Sequence, residues 1–353
     1  MPGIASSLAL QHSMGQQAGG RPPVAPELDR LALAVEAVFL GAAVRRAAPA
    51  TDASPSRTGA GLTYQQTACA LRFALAEYTG SRLPEACRSG IAPGLAGRIL
   101  EAESRARAAR DLIADRRFHL VYQPVVCLAD RRVHHFEALL RPWHVAGAPF
   151  CNTQDFVTFS EAMGLSEELD GAVLERAVAP LSETPGPPVA INISGQSVQS
   201  PAFRQQMLAL AASRPGRFLV ELTETAQIDD LAGAATTLEG LRAAGVPVCI
   251  DDFGAGAAAF RYLREFEVDY LKVDGPYVQG AANNRQDRNL VASIIELARS
   301  VGVRVIAEMI ETEEQARVMQ EMGVDLGQGW LYGPGGTLPS TSLWHRVRAK
   351  AVA

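Results

Sequence analysis

Five acids, two amides and one lysine stand at the ends of short apolar runs in this 353-residue chain. They are Glu137 in Phe-Glu-Ala-Leu-Leu, Asn192 in Ile-Asn-Ile-Ser, Glu221 in Val-Glu-Leu-Thr-Glu, and Asp251 and Asp252 in Ile-Asp-Asp-Phe-Gly. Lys272 in Tyr-Leu-Lys-Val-Asp, Glu308 in Ile-Ala-Glu and Gln328 in Gly-Gln-Gly complete the series. Carboxylates gathered in that number repel and raise one another's pKa values unless cations neutralise them. Hard oxygen donors suit Mg²⁺ or Mn²⁺ rather than zinc, which prefers nitrogen and sulfur. The adjacent Asp251-Asp252 pair is the most pointed element. If both emerge past a strand end, the first can bridge two cations while the second completes one, the arrangement wanted for two metals about 3.5–4 Å apart and for in-line phosphoester chemistry. An isolated Asp-Asp reads more readily as a helix N-cap followed by a first-turn acid, so the pair gains its meaning from the other acids.

Lys272 is one of only two lysines, the other being Lys350, among 33 basic residues that are otherwise arginine. An ammonium on a thin stem can reach a single oxygen or water in a crowded polar site where a guanidinium fork cannot. Its position inside an apolar, strand-like stretch marks it as a chemical rather than a surface residue.

The elements that must carry these residues follow from hydrophobic period. From residue 118 onward, strand-like runs at 118–125, 132–140, 188–193, 217–222, 247–251, 269–273, 303–308 and 325–331 alternate with helical periods. The latter fall near 154–163, 166–181, 202–213, 231–244, 257–264, 286–301 and 313–322. This alternation predicts a parallel sheet, and eight strands in about 220 residues predict a closed (β/α)₈-type barrel, whose site is built at the C-terminal strand ends. Upstream, residues 1–26 lack hydrophobic period and read as disordered, and 27–104 as a helical region with segments near 27–46 and 63–79. A third helix is predicted over 95–117; the barrel domain is placed at 105–345 and a C-terminal tail at 346–353.

Composition narrows the function class. A formal charge of −5 and a pI near 5.8 argue against a general nucleic-acid or anionic-membrane binder. Five scattered cysteines without CxxC spacing favour neither a disulfide framework nor a zinc site, and no run approaches the roughly 18–20 apolar residues of a membrane span. The expectation is a cytoplasmic chain. Asp252-Phe253-Gly254 spells a kinase tripeptide, but no Gly-rich loop, Val-Ala-Ile-Lys strand or His-Arg-Asp loop accompanies it. His134 and His135 are adjacent on a strand, so their side chains face opposite ways and the pair is read as having a structural or surface role rather than chelating one metal.

The ordered motifs resemble the EAL family of cyclic di-GMP phosphodiesterases over about residues 105–336. They include Tyr122-Gln123-Pro124, Glu137-Ala138-Leu139-Leu140-Arg141, Asn192-Ile193-Ser194, Glu221-Leu222-Thr223-Glu224, Asp251-Asp252-Phe253-Gly254, Lys272-Val273-Asp274, Glu308 to Thr312 and Gln328-Gly329. The resemblance implies a TIM-like barrel whose first strand is antiparallel, hydrolysis of cyclic di-GMP to linear 5′-pGpG, two Mg²⁺ or Mn²⁺ ions and a homodimer formed through the loop and helix after Asp252. It makes Glu137, Asn192, Glu221 and Asp251 ligands of one metal, with Asp251 and Asp252 serving the second. Lys272 would hold the attacking water, and Glu308 would be general base or a further ligand. Arg141, Gln328 and Asp252 would face substrate, while Glu224 and Glu311 would anchor the loop after Asp252. The chain departs from the family pattern with alanines at 257–259, Met309 where a small residue is common, Gly275-Pro276, and Pro142 after Arg141. These departures keep a second expectation open: a weakly active or inactive cyclic di-GMP receptor signalling through its N-terminal region.

Overall fold

A computed structural model describes residues 91–143, 150–182, 186–223, 228–254 and 259–338, together with six helical positions between Gln66 and Ala74. The expected segments at 1–26, 27–46 and 346–353, and most of that at 63–79, lie outside the described residues. The chain divides into two compact units, and the described positions at 66–74 fall in the same unit as residues 101–353.

Eight strands close into a barrel in sequence order: β1 (Phe118–Cys127), β2 (Val133–Pro142), β3 (Val189–Ile193), β4 (Phe218–Thr223), β5 (Val248–Phe253), β6 (Tyr270–Val273), β7 (Arg304–Ala307) and β8 (Leu326–Gln328). β1 runs antiparallel to both β2 and β8, and all other neighbours are parallel. Two-residue alternation builds the interior. A buried ring of Val125, Ala190, Leu219, Cys249, Tyr270, Ile306 and Leu326 fills the barrel; on β2 the corresponding place belongs to His135, paired with Val125. Two residues nearer the mouth, the same strands carry Gln123, Asn192, Glu221, Asp251, Lys272, Glu308 and Gln328, with Glu137 on β2. On β1 the polar residue precedes the apolar one because that strand runs the other way.

The crossovers use α1 (Ile91–Ala114) before the barrel, then α2 (Thr153–Ala162), α3 (Ser166–Val178), α4 (Gly195–Gln199), α5 (Pro201–Ser213), α6 (Leu231–Ala243), α7 (Ala259–Glu265), α8 (Gly275–Gly280), α9 (Arg285–Ser300) and α10 (Glu313–Met322). Their starts are written in side chains that accept the first free backbone N–H groups: Asn152, Ser194, Ser200, Asp230, Asn284 and Thr312. Thr312 and Gln315 form a reciprocal capping box, and α10 stops at left-handed Gly323. The short helices α4 and α8 were not apparent from hydrophobic period, because neither is long enough to show one.

One glycine is fixed by close approach. A side chain at Gly329 (φ 155°) would place its Cβ 2.1 Å from the Ile310 carbonyl oxygen, part of a backbone crossing in which Ile310 N–H donates to Gln328 O at 2.9 Å. Gly329→Ala should therefore cost about 1–3 kcal/mol, as overpacking does. Urea unfolding measures this, and an unchanged midpoint would refute the constraint.

Candidate active site

The mouth of the barrel brings Glu137, Asn192, Glu221, Asp251, Asp252, Lys272, Glu308 and Gln328 together. Lys272 is buried at its centre. Its Nζ lies 2.8 Å from Glu308 Oε1, 2.9 Å from Asp251 Oδ1, 3.2 Å from Glu221 Oε2 and 3.3 Å from Glu137 Oε2. An ammonium has three N–H donors for these four carboxylates, so some contacts are shared. Amides complete the arrangement. Gln328 Nε2 donates to Glu137 Oε2 at 2.6 Å and to Gln123 Oε1 at 3.2 Å, while Asn192 Nδ2 donates to Glu137 Oε1 at 2.9 Å. The latter leaves the Asn192 amide oxygen as its available ligand atom.

Asp251 and Asp252 would face opposite ways on a regular strand. The pairing of β5 with β6 shifts register between Ile250 and Phe253, and Asp252 takes a left-handed φ of 55°. This irregularity brings the second carboxylate to the same side, and Asp252 N–H donates to Asp251 Oδ1 at 2.9 Å. Met309 repeats the device after Glu308, with φ 52°. That conformation carries no Cβ cost in glycine, a physical reason for the small residue that the resemblance leads one to expect there.

The charge balance is uneven. Five carboxylates against one ammonium give a formal −4 when all are ionised. Burial pushes the Glu137 carboxyl up, but Lys272 and the amide donors Gln328 and Asn192 bring it below the ordinary value. For Glu221 and Asp251 burial prevails over Lys272, and both are raised, Glu221 well above its usual range. Burial and the neighbouring Asp251 raise Asp252 to about 6. Burial, with repulsion from Asp251 and Glu137, raises Glu308 to about 8 despite Lys272. Lys272 itself is desolvated, yet its four acidic neighbours hold it well above the ordinary lysine value. The ring has more negative charge than one lysine can balance, and its donors are hard oxygens, so it fits a divalent cation. Ligand oxygens of Glu137, Glu221 and Asp251 lie within 4.8 Å of one another, as do those of Asp251, Asp252 and Glu308. Asp251 is common to both groups.

Two clefts flank the ring and share Leu139 and Asp251. The larger, about 590 Å³, is lined by Arg141, Asn192, Ser194, Thr223 and Asp252 among others. The smaller, about 290 Å³, is lined by Glu137, Lys272, Glu308, Met309, Glu311, Gln328 and Trp330. Arg141 thus lies outside the ring, on the same strand face as Glu137 but four residues further along. Glu311 is exposed on the smaller cleft. Glu224 lies outside the described residues, as does the 255–258 loop it was expected to anchor.

The family model for the EAL domain matches residues 106–335. The chain belongs to the EAL domain family. Its EAL domain is 31% identical over 221 residues to the protein named cyclic di-GMP phosphodiesterase PA2567 of Pseudomonas aeruginosa, covering 61% of this chain and 38% of that one. It is 35% identical over 255 residues to an uncharacterized protein of Azorhizobium caulinodans, covering 66% and 34%. The chain spans about a third of the length of several curated relatives it matches. A solved structure described as the PaMucR phosphodiesterase in complex with c-di-GMP aligns with a TM-score of 0.59 at 26% identity, covering 68% of this chain and 99% of the other. No described helix is long and apolar enough to cross a membrane.

Two parts of this EAL domain site were missed in the sequence reading. Gln123 appears there only as a motif residue; the structure makes it the β1 member of the ring, bonded to Gln328. Period-2 alternation read backwards from Val125 would have found it. Asp170 is buried on the wall of the larger cleft, and its Oδ2 accepts Ser194 N–H at 2.8 Å, fixing the turn that follows Asn192. An acid within a helical period gave no signal of that role. His134 and His135, expected to face opposite ways, instead meet through their Nδ1 atoms at 2.8 Å; His135 is fully buried under the ring, and burial, with the charges around it, depresses its pKa to about 3.

The raised acids predict a pH signature. Glu308 and Asp252 rise from ordinary values of 4.5 and 3.8 to about 8 and about 6, so the folded chain holds protons that the unfolded chain releases. Their contribution to stability is complete below the ordinary values and is lost as pH rises through 6 and then 8. After chelation, the melting temperature should fall between about pH 4.5 and about pH 8, and saturating Mn²⁺ should flatten that fall. Calorimetry at constant ionic strength checks both; a chelated protein that melts higher at pH 8 than at pH 5 would refute the assignment.

Proposed function

We propose that the barrel mouth is a divalent-cation-dependent phosphodiesterase site that opens cyclic di-GMP to linear 5′-pGpG. The pair of three-oxygen groups joined at Asp251 carries this reading. Glu137, Asn192, Glu221 and Asp251 would hold one cation, and Asp251 and Asp252 the second, with Mg²⁺ or Mn²⁺ suited to the oxygen donors. When bound, such a pair supplies Lewis acidity, lowering the pKa of water and neutralising phosphate charge.

The chain's own groups do the rest. Lys272 presents strong N–H donors at the centre of the ring, where they can orient an attacking water and oppose its protonation. Glu308, 2.8 Å from Lys272 and raised to about 8, has a carboxylate available to accept a proton near and above that pH. Gln328 and Gln123 hold Glu137 in place. Arg141 offers a planar fork to a phosphate on the wall of the larger cleft. Two clefts meeting at Leu139 and Asp251 suit a ligand with two nucleoside lobes and a phosphate at the junction. Support for the substrate comes from relatives named cyclic di-GMP phosphodiesterases and from the c-di-GMP complex of a structural neighbour. A cytoplasmic setting and a homodimer formed through α7 belong to the same proposal. Sedimentation of the cation-loaded chain tests the dimer, and a strictly monomeric active species removes it.

The decisive experiment incubates the purified chain with cyclic di-GMP and Mn²⁺ and separates the products by chromatography. Conversion to pGpG that EDTA abolishes supports the proposal. Tight binding without turnover would replace it with a receptor role, and no binding would remove both. Lys272→Ala should lower kcat by about 10²–10³-fold, the usual loss for one electrostatic donor. The melting temperature is read alongside, because the substitution leaves buried acids uncompensated; full activity in this variant would refute the water-orienting role.

A further inference from the structure

Beneath the acidic ring, a line of polar groups crosses the barrel interior toward the opposite end. Arg304 Nη1, at the start of β7, lies 3.3 Å from His134 Nε2, and Tyr270 Oη lies 3.4 Å from the same nitrogen. His134 Nδ1 is 2.8 Å from His135 Nδ1. His135 Nε2 then points toward Glu221 Oε1 across 4.0 Å. Both of these last atoms are buried without a hydrogen-bond partner.

Donor and acceptor chemistry fixes the protons along this line. A guanidinium only donates, so His134 Nε2 accepts, and the neutral ring carries its proton on Nδ1. Two N–H groups cannot face each other at 2.8 Å, so His135 Nδ1 accepts and its proton sits on Nε2. The one unpaired donor on His135 therefore faces the one unpaired oxygen of Glu221, whose other oxygen is held 3.2 Å from Lys272. The gap exceeds an ordinary N–H···O bond by about 1 Å, within the swing of a carboxylate about its own axis. Arg304 has a second anchor in Asp325 Oδ1 at 3.9 Å and lies over the Tyr270 ring, so the far end of the line is also tethered.

We propose that His135 is a positioning residue for Glu221, presented as a hydrogen-bond donor by the polarised chain Arg304–His134–His135. The inference rests on the reading of Glu221 as a cation ligand. Donors behind a metal ligand orient it and raise its affinity, and their loss typically costs about 10–100-fold in metal binding. A residue that merely filled the apolar layer would be replaced without such loss by leucine, which already occupies that layer on β4 and β8.

The test measures Mn²⁺ binding by electron paramagnetic resonance on the full chain, with melting temperatures in parallel. Wild type, His135→Leu, His135→Gln and Arg304→Met are compared. His135→Leu should bind Mn²⁺ about 10–100-fold more weakly. His135→Gln, which restores a donor, should recover part of that loss, and Arg304→Met should weaken binding less than His135→Leu. Nitrogen-15 spectra of the wild-type histidines should show His134 protonated on Nδ1 and His135 on Nε2. Wild-type affinity in His135→Leu, or the opposite tautomer at His135, overturns the proposal while leaving the cation site standing. A wild-type chain without Mn²⁺ affinity overturns the cation site, and this inference with it. Should His135→Leu fail to fold, Arg304→Met and the tautomer spectrum decide.

Discussion

The ammonium of Lys272 among four carboxylates is the interaction on which the rest of the mouth depends. In a buried setting, removing one partner from such a group costs roughly 3–5 kcal/mol, because the remaining charge stays desolvated. Here a single cation answers for several acids, so the cost would be felt on every strand that contributes one. A guanidinium would be too wide for this position and too rigid to divide its donors among four directions. The scarcity of lysine elsewhere in the chain makes its retention at 272 intelligible: the position needs a small, strongly charged head on a slender stem.

That interaction explains the order of the layers beneath it. The acids cannot sit deep in the barrel without more compensation, so each strand turns apolar two residues below its polar member. Ala190, Leu219, Cys249, Ile306 and Leu326 form a dry floor that strengthens every electrostatic contact above them. β2 is the exception, with a histidine in the floor. One of its ring nitrogens is bonded to His134 at 2.8 Å, and the other lies 4.0 Å from Glu221 Oε1 without a hydrogen-bond partner.

Much of this was legible in the sequence, because alternation in a barrel is a strict rule. Asn192, Glu221, Asp251, Lys272, Glu308 and Gln328 could be placed near strand ends from apolar runs alone, whereas Glu137 lies in the middle of β2. The longer capped helices were found with ends within a few residues of those observed, but α4, capped by Ser194, was not. The rest required geometry that no local pattern encodes. Gln123 was passed over because β1 reverses direction and the order of its polar and apolar residues reverses with it. The convergence of Asp251 and Asp252 contradicts strand alternation until the left-handed φ of 55° is known. The nitrogen-to-nitrogen contact of His134 and His135 likewise departs from what adjacent strand positions lead one to expect. For Gln123 the reversal of β1 was already implied by the resemblance and only its effect on the alternation went unread; for the other two the missing information was local backbone geometry, not a side-chain type.

The irregularity in β5 has a consequence for how this chain can vary. A positive φ excludes β-branched side chains at 252 and penalises most others, whereas aspartate and asparagine are among the few non-glycine residues that adopt it readily. The position is thereby confined to a short menu before any ligand is considered. Within that menu asparagine keeps the bend and discards the charge, and glycine keeps the bend and discards the side chain. Backbone shape and ionic character are thus separable here only along two substitutions, so drift at this site has a narrow corridor.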